Sequence, residues 1–206
     1  MSAGGRIILV GGFHEVIELA EACGCEIAGI IEKIPASDFM GYPILGCDAD
    51  AAALYDRYSE IPLILTPDVP QVRQRLLTQY RQVGWKFASL IHPQARISQS
   101  ATLGEGVVIQ YGAHLSALVR IGNFVKINTY ANVMHDSVVG DFSTIAPNAV
   151  ILGRIQIGTL CYIGANSTIL VEKKIGNGAI VGAAAIVTRD VRAGSTVVGN
   201  PARERT

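Results

Sequence analysis

The sequence lacks the features that mark nucleic-acid-binding, membrane-bound and exported proteins. Its 17 lysines and arginines balance 17 aspartates and glutamates, and no basic run is present that would attract phosphate backbones or anionic lipid. The apolar run after Arg6 covers only residues 7–10, which is too short for a signal peptide or a membrane-spanning helix. We therefore expect a cytoplasmic protein with neither nucleic acid nor membrane as a partner.

The cysteines lack the spacing of a metal or redox site. Four are scattered along the chain, and one residue separates Cys23 from Cys25, where zinc and redox pairs typically have two. We interpret all four as buried free thiols. What the sequence does contain is 22 glycines beside many isoleucines, valines and alanines, which is typical of short strands joined by tight turns.

Residues 1–89 alternate between strand-like and helix-like segments. The predicted strands are residues 6–10, 25–31 and 61–66, and the predicted helices lie in HEVIELAEAC, AAALYDRY and VRQRLLTQYR. This rhythm predicts an α/β Rossmann-like domain with a small parallel sheet. Ligands of such sheets bind at the carboxyl ends of the strands, where five residues should gather: Gly11, Gly12, Phe13, His14 and Glu32.

The phosphate-binding signal of this domain is partial. Gly11 and Gly12 would let backbone amides approach a phosphate at the start of the following helix. The full G-x-G-x-x-G spacing is absent, however, and two glycines after a strand also mark ordinary turns. His14 and Glu32 are equally compatible with exposed surface positions, so both interpretations stay open at this point.

Residues 90–206 carry an unbroken six-residue repeat. Seventeen consecutive positions at steps of six, from Ile91 to Val187, are aliphatic, the residue four places later is usually small, and glycine often follows directly. This pattern predicts an all-β parallel β-helix in which each short strand points one aliphatic side chain inward. In families with such hexapeptides the helix is left-handed, with three sides and 18 residues per coil, so that residues 18 apart stack at about 4.8 Å.

The coil arithmetic draws attention to His135 and Asp136. His135 is expected to project outward from a turn, with Gly153 one coil above it, and Asp136 has Arg154 above it. An imidazole that a neighbouring carboxylate orients, beside a bare backbone N–H, is suited to acyl transfer, because it can accept a proton while the N–H binds an oxyanion. Outward turn positions are polar in any case, and Arg154 competes for Asp136, so a purely structural role is the alternative.

A second outward column is apolar. Phe124, Phe142 and Leu160 are 18 residues apart and should form an exposed stripe, which usually marks a protein contact. We expect self-association, as a trimer of β-helices. The alternative is that another segment of the same chain covers the stripe.

Several segments together resemble the bacterial sugar acetyltransferases of the left-handed β-helix superfamily. These segments are ILVGGFHEVIELA, GYPILG, FASLIHPQARIS, NVMHDSVVGDFSTIAPNAVILG and VGNPAR, and they span essentially the whole chain. The family includes sialic acid O-acetyltransferases and the N-acetyltransferases that act on nucleotide-linked 4-amino-4,6-dideoxysugars, as in the bacillosamine and perosamine pathways. The resemblance implies a Rossmann-like nucleotide-sugar-binding domain at residues 1–89 and a left-handed β-helix acetyltransferase domain at residues 90–206.

The resemblance also implies a role for individual residues. His135 would be the general base, Asp136 its carboxylate partner, and Gly153 would lie near the acetyl carbonyl. Acetyl-CoA, the co-substrate, would run along the groove between neighbouring β-helices, near Thr144, Ala165, Gly182 and Ala183. The nucleotide-linked sugar would touch Gly12, Phe13, His14, Glu32 and Lys33, with its sugar reaching Asn128 and His135 of a neighbouring chain.

The chain departs from the family pattern at four positions. Many relatives have glycine where this chain has Phe13, an acidic residue at Lys33, a second histidine at Thr144 and glycine at Thr66. These departures leave the catalytic pair intact and bear on which nucleotide and which donor contacts are used.

The favoured hypothesis is an acetyl-CoA-dependent N-acetyltransferase of a UDP-, GDP- or dTDP-linked 4-amino-4,6-dideoxyhexose in surface-glycan biosynthesis, and the alternative is O-acetylation of sialic acid or a related sugar. No metal is expected. Some β-helix trimers hold zinc through histidines two of which are five residues apart, whereas His92, His114 and His135 are widely spaced. A non-catalytic scaffold is the third hypothesis, and it predicts no acetyl-CoA binding.

Overall fold

The structure is a computed structural model, and it describes residues 4–33 and 37–205. The chain forms two compact units, Met1–Pro93 and Gln94–Thr206. The boundary predicted from the sequence lies after residue 89, and the separate role of each part stays a prediction.

The first unit has three α-helices beside a sheet. The helices are α1 (His14–Ala22), α2 (Ala51–Tyr58) and α3 (Pro70–Val83), and a 3₁₀ turn spans Asp48–Asp50. The strands are β1 (Arg6–Val10), β2 (Glu26–Ile31), β3 (Asp38–Phe39), β4 (Tyr42–Gly46), β5 (Leu63–Leu65) and the short β6 (Leu90–Ile91). All three predicted strands and all three predicted helices are present. The β3–β4 hairpin was not predicted.

The order of the sheet defines where a ligand can bind. The strands lie in the order β3-β4-β2-β1-β5, with β1, β2, β4 and β5 parallel and β3 antiparallel to β4. The chain turns to opposite sides of β1 when it forms β2 and β5, so the strand order reverses between β1 and β5. Open α/β sheets bind ligands at this reversal, outside the carboxyl ends of the strands. The loops after β1 and β5 therefore frame the candidate ligand-binding edge.

Burial explains why these short segments form strands. Ile7, Ile8, Leu9 and Val10 of β1 are all buried, as are Leu63, Ile64 and Leu65 of β5. A parallel sheet with helices packed on it buries both faces of its central strands, so continuous aliphatic runs, and not alternating ones, are the matching pattern.

The second unit is a three-sided parallel β-helix of two-residue strands. Face 1 consists of β7 (Arg96–Ile97), β10 (His114–Leu115), β13 (Asn132–Val133), β16 (Val150–Ile151), β19 (Thr168–Ile169) and β22 (Ile186–Val187). Face 2 consists of β8 (Thr102–Leu103), β11 (Arg120–Ile121), β14 (Val138–Val139), β17 (Gln156–Ile157) and β20 (Lys174–Ile175). Face 3 includes β9 (Val108–Ile109), β12 (Lys126–Ile127), β15 (Thr144–Ile145), β18 (Tyr162–Ile163), β21 (Ile180–Val181), β23 (Thr196–Val198) and the antiparallel β24 (Arg203–Glu204).

The repeat sets the register of the coils. Strands pair in parallel with partners 18 residues away, as Val133 does with Leu115 below it and Ile151 above it. Each of the seventeen predicted aliphatic residues is the second residue of a strand, and those from Ile109 to Val187 are buried. The predicted fold class, a Rossmann-like α/β domain followed by a hexapeptide β-helix, is confirmed.

Three corners join the faces, and each corner contains a residue with left-handed backbone. Such residues recur every six positions, with φ near +60°, for example Tyr130, Asp136 and Phe142. From Phe124 to Ala184, the backbone N–H of each such residue donates to a carbonyl one coil below, as Asp136 does to Ala117 at 3.0 Å. We name the corners after characteristic side chains: the histidine corner joins faces 1 and 2, the phenylalanine corner joins faces 2 and 3, and the alanine corner joins faces 3 and 1.

The phenylalanine corner differs from its prediction. Phe124 and Phe142 stack as expected, with ring centroids 5.6 Å apart and planes within 10°. The stripe is not uniformly exposed, however: Phe124 retains only 2% of its surface, whereas Phe142 and Leu160 are partly exposed. Its ring lies against Gly106 one coil below, where an added Cβ would come within 2.3 Å of it, and Phe142 covers it from above. The expected stacking is present, and the expected exposure was wrong for Phe124.

Candidate functional site

His135 and Asp136 form a hydrogen-bonded pair at the histidine corner. The Nδ1 atom of His135 lies 2.8 Å from Oδ2 of Asp136, and both side chains remain nearly half exposed. The left-handed backbone of Asp136, with φ of 58°, turns its short side chain back toward the preceding residue, and aspartate is one of the few residues that tolerates this conformation well. The pair fixes one imidazole nitrogen and leaves Nε2 available.

Gly153 lies directly beside the free edge of the imidazole. A Cβ added at Gly153 would be 2.7 Å from both Cε1 and Nε2 of His135. The imidazole therefore occupies the space that a side chain at position 153 would need. Among the residues that the structure describes, no hydrogen-bond acceptor is found for the Gly153 N–H. A free backbone donor next to Nε2 is the arrangement that stabilises an oxyanion while a base accepts a proton.

The structure answers the question of which partner Asp136 takes. Arg154 directs its Nε to Oε1 of Glu172 at 2.9 Å, one coil further up the histidine corner. The Nε of Arg154 therefore pairs with Glu172 and not with Asp136, whose carboxylate faces His135.

The residues expected to bind acetyl-CoA lie along face 3 and the alanine corner. Ala165 and Ala183 are stacked one coil apart on this corner, next to Gly164 and Gly182. Gly164 is buried, Ala165 and Gly182 are partly exposed and Ala183 is exposed, so this strip presents only small side chains to solvent. Thr144, in contrast, is fully buried on face 3, so its side chain is not presented to solvent.

The His135–Asp136 pair and this strip lie at different corners of the β-helix. His135 follows face 1, whereas Asn128, Ala165 and Gly182 follow strands of face 3. Asn128 is largely buried, and its backbone N–H donates to Ile145. The predicted catalytic and donor residues thus do not converge within one β-helix.

Glu32 organises the predicted nucleotide-binding edge of the first unit. Its Oε2 accepts from the backbone N–H of Gly12 at 2.7 Å, and its Oε1 accepts from the N–H of Lys33 at 2.7 Å. The first loop and the end of β2 are thereby joined, as the sequence analysis expected of this edge. Phe13 caps α1, where its carbonyl accepts from the N–H groups of Val16 and Ile17.

Phe39 is a member of this edge that sequence reasoning missed. Its ring lies against Gly12, at 3.0 Å from the position of an added Cβ, and meets the ring of His14 edge to face at 5.0 Å between centroids. Phe39 reaches this place from the β3–β4 hairpin. The two positive φ values of Met40 and Gly41 are the hairpin-turn signal, but Met-Gly lacks the usual asparagine or aspartate.

Thr66 closes the edge between β1 and β5. Its hydroxyl can donate to either of two carbonyl oxygens, that of Val10 at 2.7 Å and that of Gly11 at 2.9 Å from Oγ1. Gly11 has φ of 101° and no room for a side chain, since an added Cβ would be 2.6 Å from Oγ1 of Thr66. The residue that departs from the family pattern is therefore fully buried and ties the two loops together.

The cysteines, histidines and carboxylates carry no further site. Within residues 4–33 and 37–205 there is no group of three or more His, Cys, Asp or Glu side chains placed to hold a metal ion. The described part also contains no helix with the length and hydropathy needed to cross a membrane.

All four cysteines are free, but only Cys161 is buried, and this burial raises the pKa of its thiol. The prediction of burial was wrong for Cys23, Cys25 and Cys47, which are partly exposed.

Comparison with known proteins agrees with this geometry. A family model described as bacterial transferase hexapeptide (six repeats) matches residues 119–153 and 137–170. A histidine-to-alanine mutant of GDP-perosamine N-acetyl transferase from Caulobacter crescentus, crystallised with CoA and GDP-perosamine, is 30% identical with a TM-score of 0.93, over 98% of this chain and 97% of that one. Comparison with curated proteins gave no significant match.

Two further structures extend the similarity. WeeI from Acinetobacter baumannii is 30% identical, with a TM-score of 0.85 over 97% of this chain and 100% of that one. The acetyltransferase domain of PglB from Neisseria gonorrhoeae, in complex with acetyl coenzyme A, is 28% identical, with a TM-score of 0.89 over 97% of this chain and 98% of that one.

Fold and site together define a bacterial hexapeptide-repeat transferase. Within this class, the chain belongs to the family of left-handed β-helix sugar acetyltransferases that carry an N-terminal Rossmann-like domain. The predicted family is thus confirmed.

Proposed function

We propose that the protein is an acetyl-CoA-dependent N-acetyltransferase that acetylates the 4-amino group of a nucleotide-linked 4-amino-4,6-dideoxyhexose. The observation that carries this proposal is the His135–Asp136 pair, whose free Nε2 faces the bare backbone of Gly153. The Caulobacter relative was crystallised with CoA and GDP-perosamine, which supports a nucleotide-linked amino sugar as the acceptor. The reaction would serve surface-glycan biosynthesis in the cytoplasm.

The catalytic roles follow from the geometry of the histidine corner. Acetyl-CoA supplies the thioester whose carbonyl carbon the sugar amine attacks, with release of the CoA thiol. Nε2 of His135 accepts the proton that the amine loses and returns it to the departing sulfur, while Asp136 holds Nδ1. The N–H of Gly153 donates to the carbonyl oxygen as negative charge develops there. No covalent acyl-enzyme is needed, and Cys161 is buried away from solvent.

The active site would be completed by a second copy of the chain. The small residues of the alanine corner, Ala165, Gly182 and Ala183, suit the extended arm of acetyl-CoA, with Thr144 buried on the adjoining face 3. Because they follow a different face from His135, one β-helix would supply the base and its neighbour the donor strip. A closed ring of three copies satisfies this requirement at every contact. We therefore infer a homotrimer.

The first unit would bind the nucleotide. Gly12, Phe13, His14, Glu32 and Lys33 lie at the edge where the strand order reverses, and α/β sheets bind nucleotides at such edges. UDP, GDP and dTDP are the nucleotides to be distinguished.

A panel of acceptors tests the proposal. Purified protein is incubated with acetyl-CoA and either UDP-, GDP- or dTDP-linked 4-amino-4,6-dideoxyhexoses or free sialic acid, and CoA release and acetylated product are measured. We expect turnover with one nucleotide-linked amino sugar and none with free sialic acid. Turnover with sialic acid alone would make the protein an O-acetyltransferase instead.

The base is tested by His135→Ala on the best acceptor. General-base catalysis is worth about 10²–10⁴ in rate, so kcat should fall by that factor while acetyl-CoA still binds. His114→Ala, on the same face one coil below Asn132, serves as the matched control. Normal turnover by His135→Ala would eliminate this mechanism.

A further inference from the structure

The histidine corner carries a column of three charged residues in successive coils. Asp136, Arg154 and Glu172 all have left-handed backbone, with φ of 58°, 60° and 62°. The N–H of Arg154 donates to the carbonyl of His135 at 2.9 Å, and the N–H of Glu172 donates to that of Gly153 at 3.1 Å. Equivalent positions one coil apart are separated by roughly 4.8 Å, so Arg154 lies between two carboxylates of the same column.

Arg154 is bound to only one of these carboxylates. Its Nε donates to Glu172 at 2.9 Å, while Oδ2 of Asp136 is 2.8 Å from Nδ1 of His135. A guanidinium has five N–H donors on a long flexible arm, and it binds any carboxylate that it can reach. In the structure Arg154 is thus held by Glu172, and Asp136 is bound to the imidazole.

We propose that Glu172 is a positioning residue for catalysis, which acts by holding Arg154 away from Asp136. This inference rests on the proposed role of His135 as general base. With Arg154 retained by Glu172, the carboxylate of Asp136 accepts from Nδ1–H and keeps the lone pair of Nε2 directed outward. Without Glu172, Arg154 turns to Asp136, and the imidazole loses the bond that fixes its tautomer and orientation.

The exposure of the Arg154–Glu172 pair argues against a structural role. The two side chains are 57% and 61% exposed, and exposed ion pairs add little to stability. Removing either side chain should therefore leave the melting temperature nearly unchanged. A change in turnover without a change in stability is the result that distinguishes positioning from folding.

Four variants test the inference: Glu172→Ala, the isosteric Glu172→Gln, Arg154→Ala and the double variant Arg154→Ala/Glu172→Ala. We expect kcat to fall roughly tenfold in both Glu172 variants, less than on loss of the base itself, with little change in KM. Arg154→Ala should turn over like wild type, and the double variant should recover, because no guanidinium then competes for Asp136. Glu204→Ala, which breaks the exposed pair with Arg192, is the matched control and should be silent.

Nitrogen NMR of the His135 imidazole provides a readout independent of turnover. Wild type and the double variant should show the tautomer protonated at Nδ1, and Glu172→Ala should show a mixture. If wild type transfers no acetyl group, the proposed function fails while this signature still tests the contact. Unchanged imidazole signals and turnover in Glu172→Ala would overturn the inference. So would a loss of turnover in Arg154→Ala, or no recovery in the double variant, since both would indicate direct substrate contacts.

Discussion

At the scale of residues, the chemistry of the histidine corner depends on a side chain that is not there. Gly153 has ordinary negative φ or extended backbone, so its conformation alone would allow alanine. What excludes alanine is the imidazole of His135, whose Cε1 and Nε2 would be 2.7 Å from the new methyl group. The end of a histidine side chain moves easily, and the ring would therefore be displaced while the coil stays intact.

Gly153→Ala should consequently inactivate the enzyme without unfolding it. A displacement of the base by about 1 Å can cost on the order of 10² in rate, and we expect kcat to fall at least that far. Ala117→Gly, at the same corner position two coils below Gly153, is the matched control and should be nearly silent. Activity close to wild type in Gly153→Ala would contradict the assigned geometry.

Sequence reasoning reached these residues but not their pairing. The 18-residue arithmetic puts Gly153 above His135 and Arg154 above Asp136, and the structure agrees. The choice of Asp136 between His135 and Arg154 depends on side-chain torsions and on Glu172, which lies two coils above Asp136. Periodicity contains no information about such a competition.

At the scale of elements, the repeat was predictable because one requirement acts at every sixth residue. An inward position that must hold an aliphatic side chain leaves its mark seventeen times, from Ile91 to Val187. The β3–β4 hairpin leaves almost none, since β3 has two residues and its turn is Met40–Gly41. The sequence therefore indicated the candidate nucleotide-binding edge but not Phe39, which the hairpin brings to it.

The phenylalanine corner belongs to the core, and its stability should reflect this. Phe124 is 2% exposed and Phe142 is only half-buried. Phe124→Ala should lower the free energy of unfolding of the β-helix by about 3–5 kcal/mol, because it leaves a cavity between Gly106 and Phe142. Denaturation followed by circular dichroism measures the loss.

Phe142→Ala is the matched comparison, and it should cost clearly less because that ring already meets solvent. Equal losses in the two variants, or dissociation of an oligomer in Phe124→Ala without loss of stability, would contradict the assigned core position of Phe124.

At the scale of the whole molecule, the separation of the two functional corners is the main constraint. His135 follows face 1 and the donor strip follows face 3, so one chain would hold only half of each proposed active site. Two differently inactivated chains should therefore complement each other. A monomeric enzyme with a complete site would not behave in this way.

Co-expression of His135→Ala with Ala165→Trp, which blocks the donor strip, tests this expectation. Each variant alone should be inactive. In random mixed trimers about a quarter of the contacts join an intact base to an intact strip, so activity should return to about that fraction of wild type. Mixing the same purified variants without subunit exchange is the control, and no recovery on co-expression would contradict a shared site.

Because of the six-residue period, an insertion that keeps the core of the β-helix in phase can still move the residues of the candidate site. Insertion of one hexapeptide between Asn128 and His135 would leave every inward aliphatic residue in phase, so the core positions would still hold aliphatic side chains. Yet everything downstream would rotate by one face, and the imidazole would move to the neighbouring corner. Insertion of a full 18 residues would return His135 to its own corner but would displace it by one coil relative to Asn128. In a β-helix of this period, an insertion of one or more hexapeptides therefore changes the orientation or the height of the downstream site while the inward aliphatic residues stay in phase.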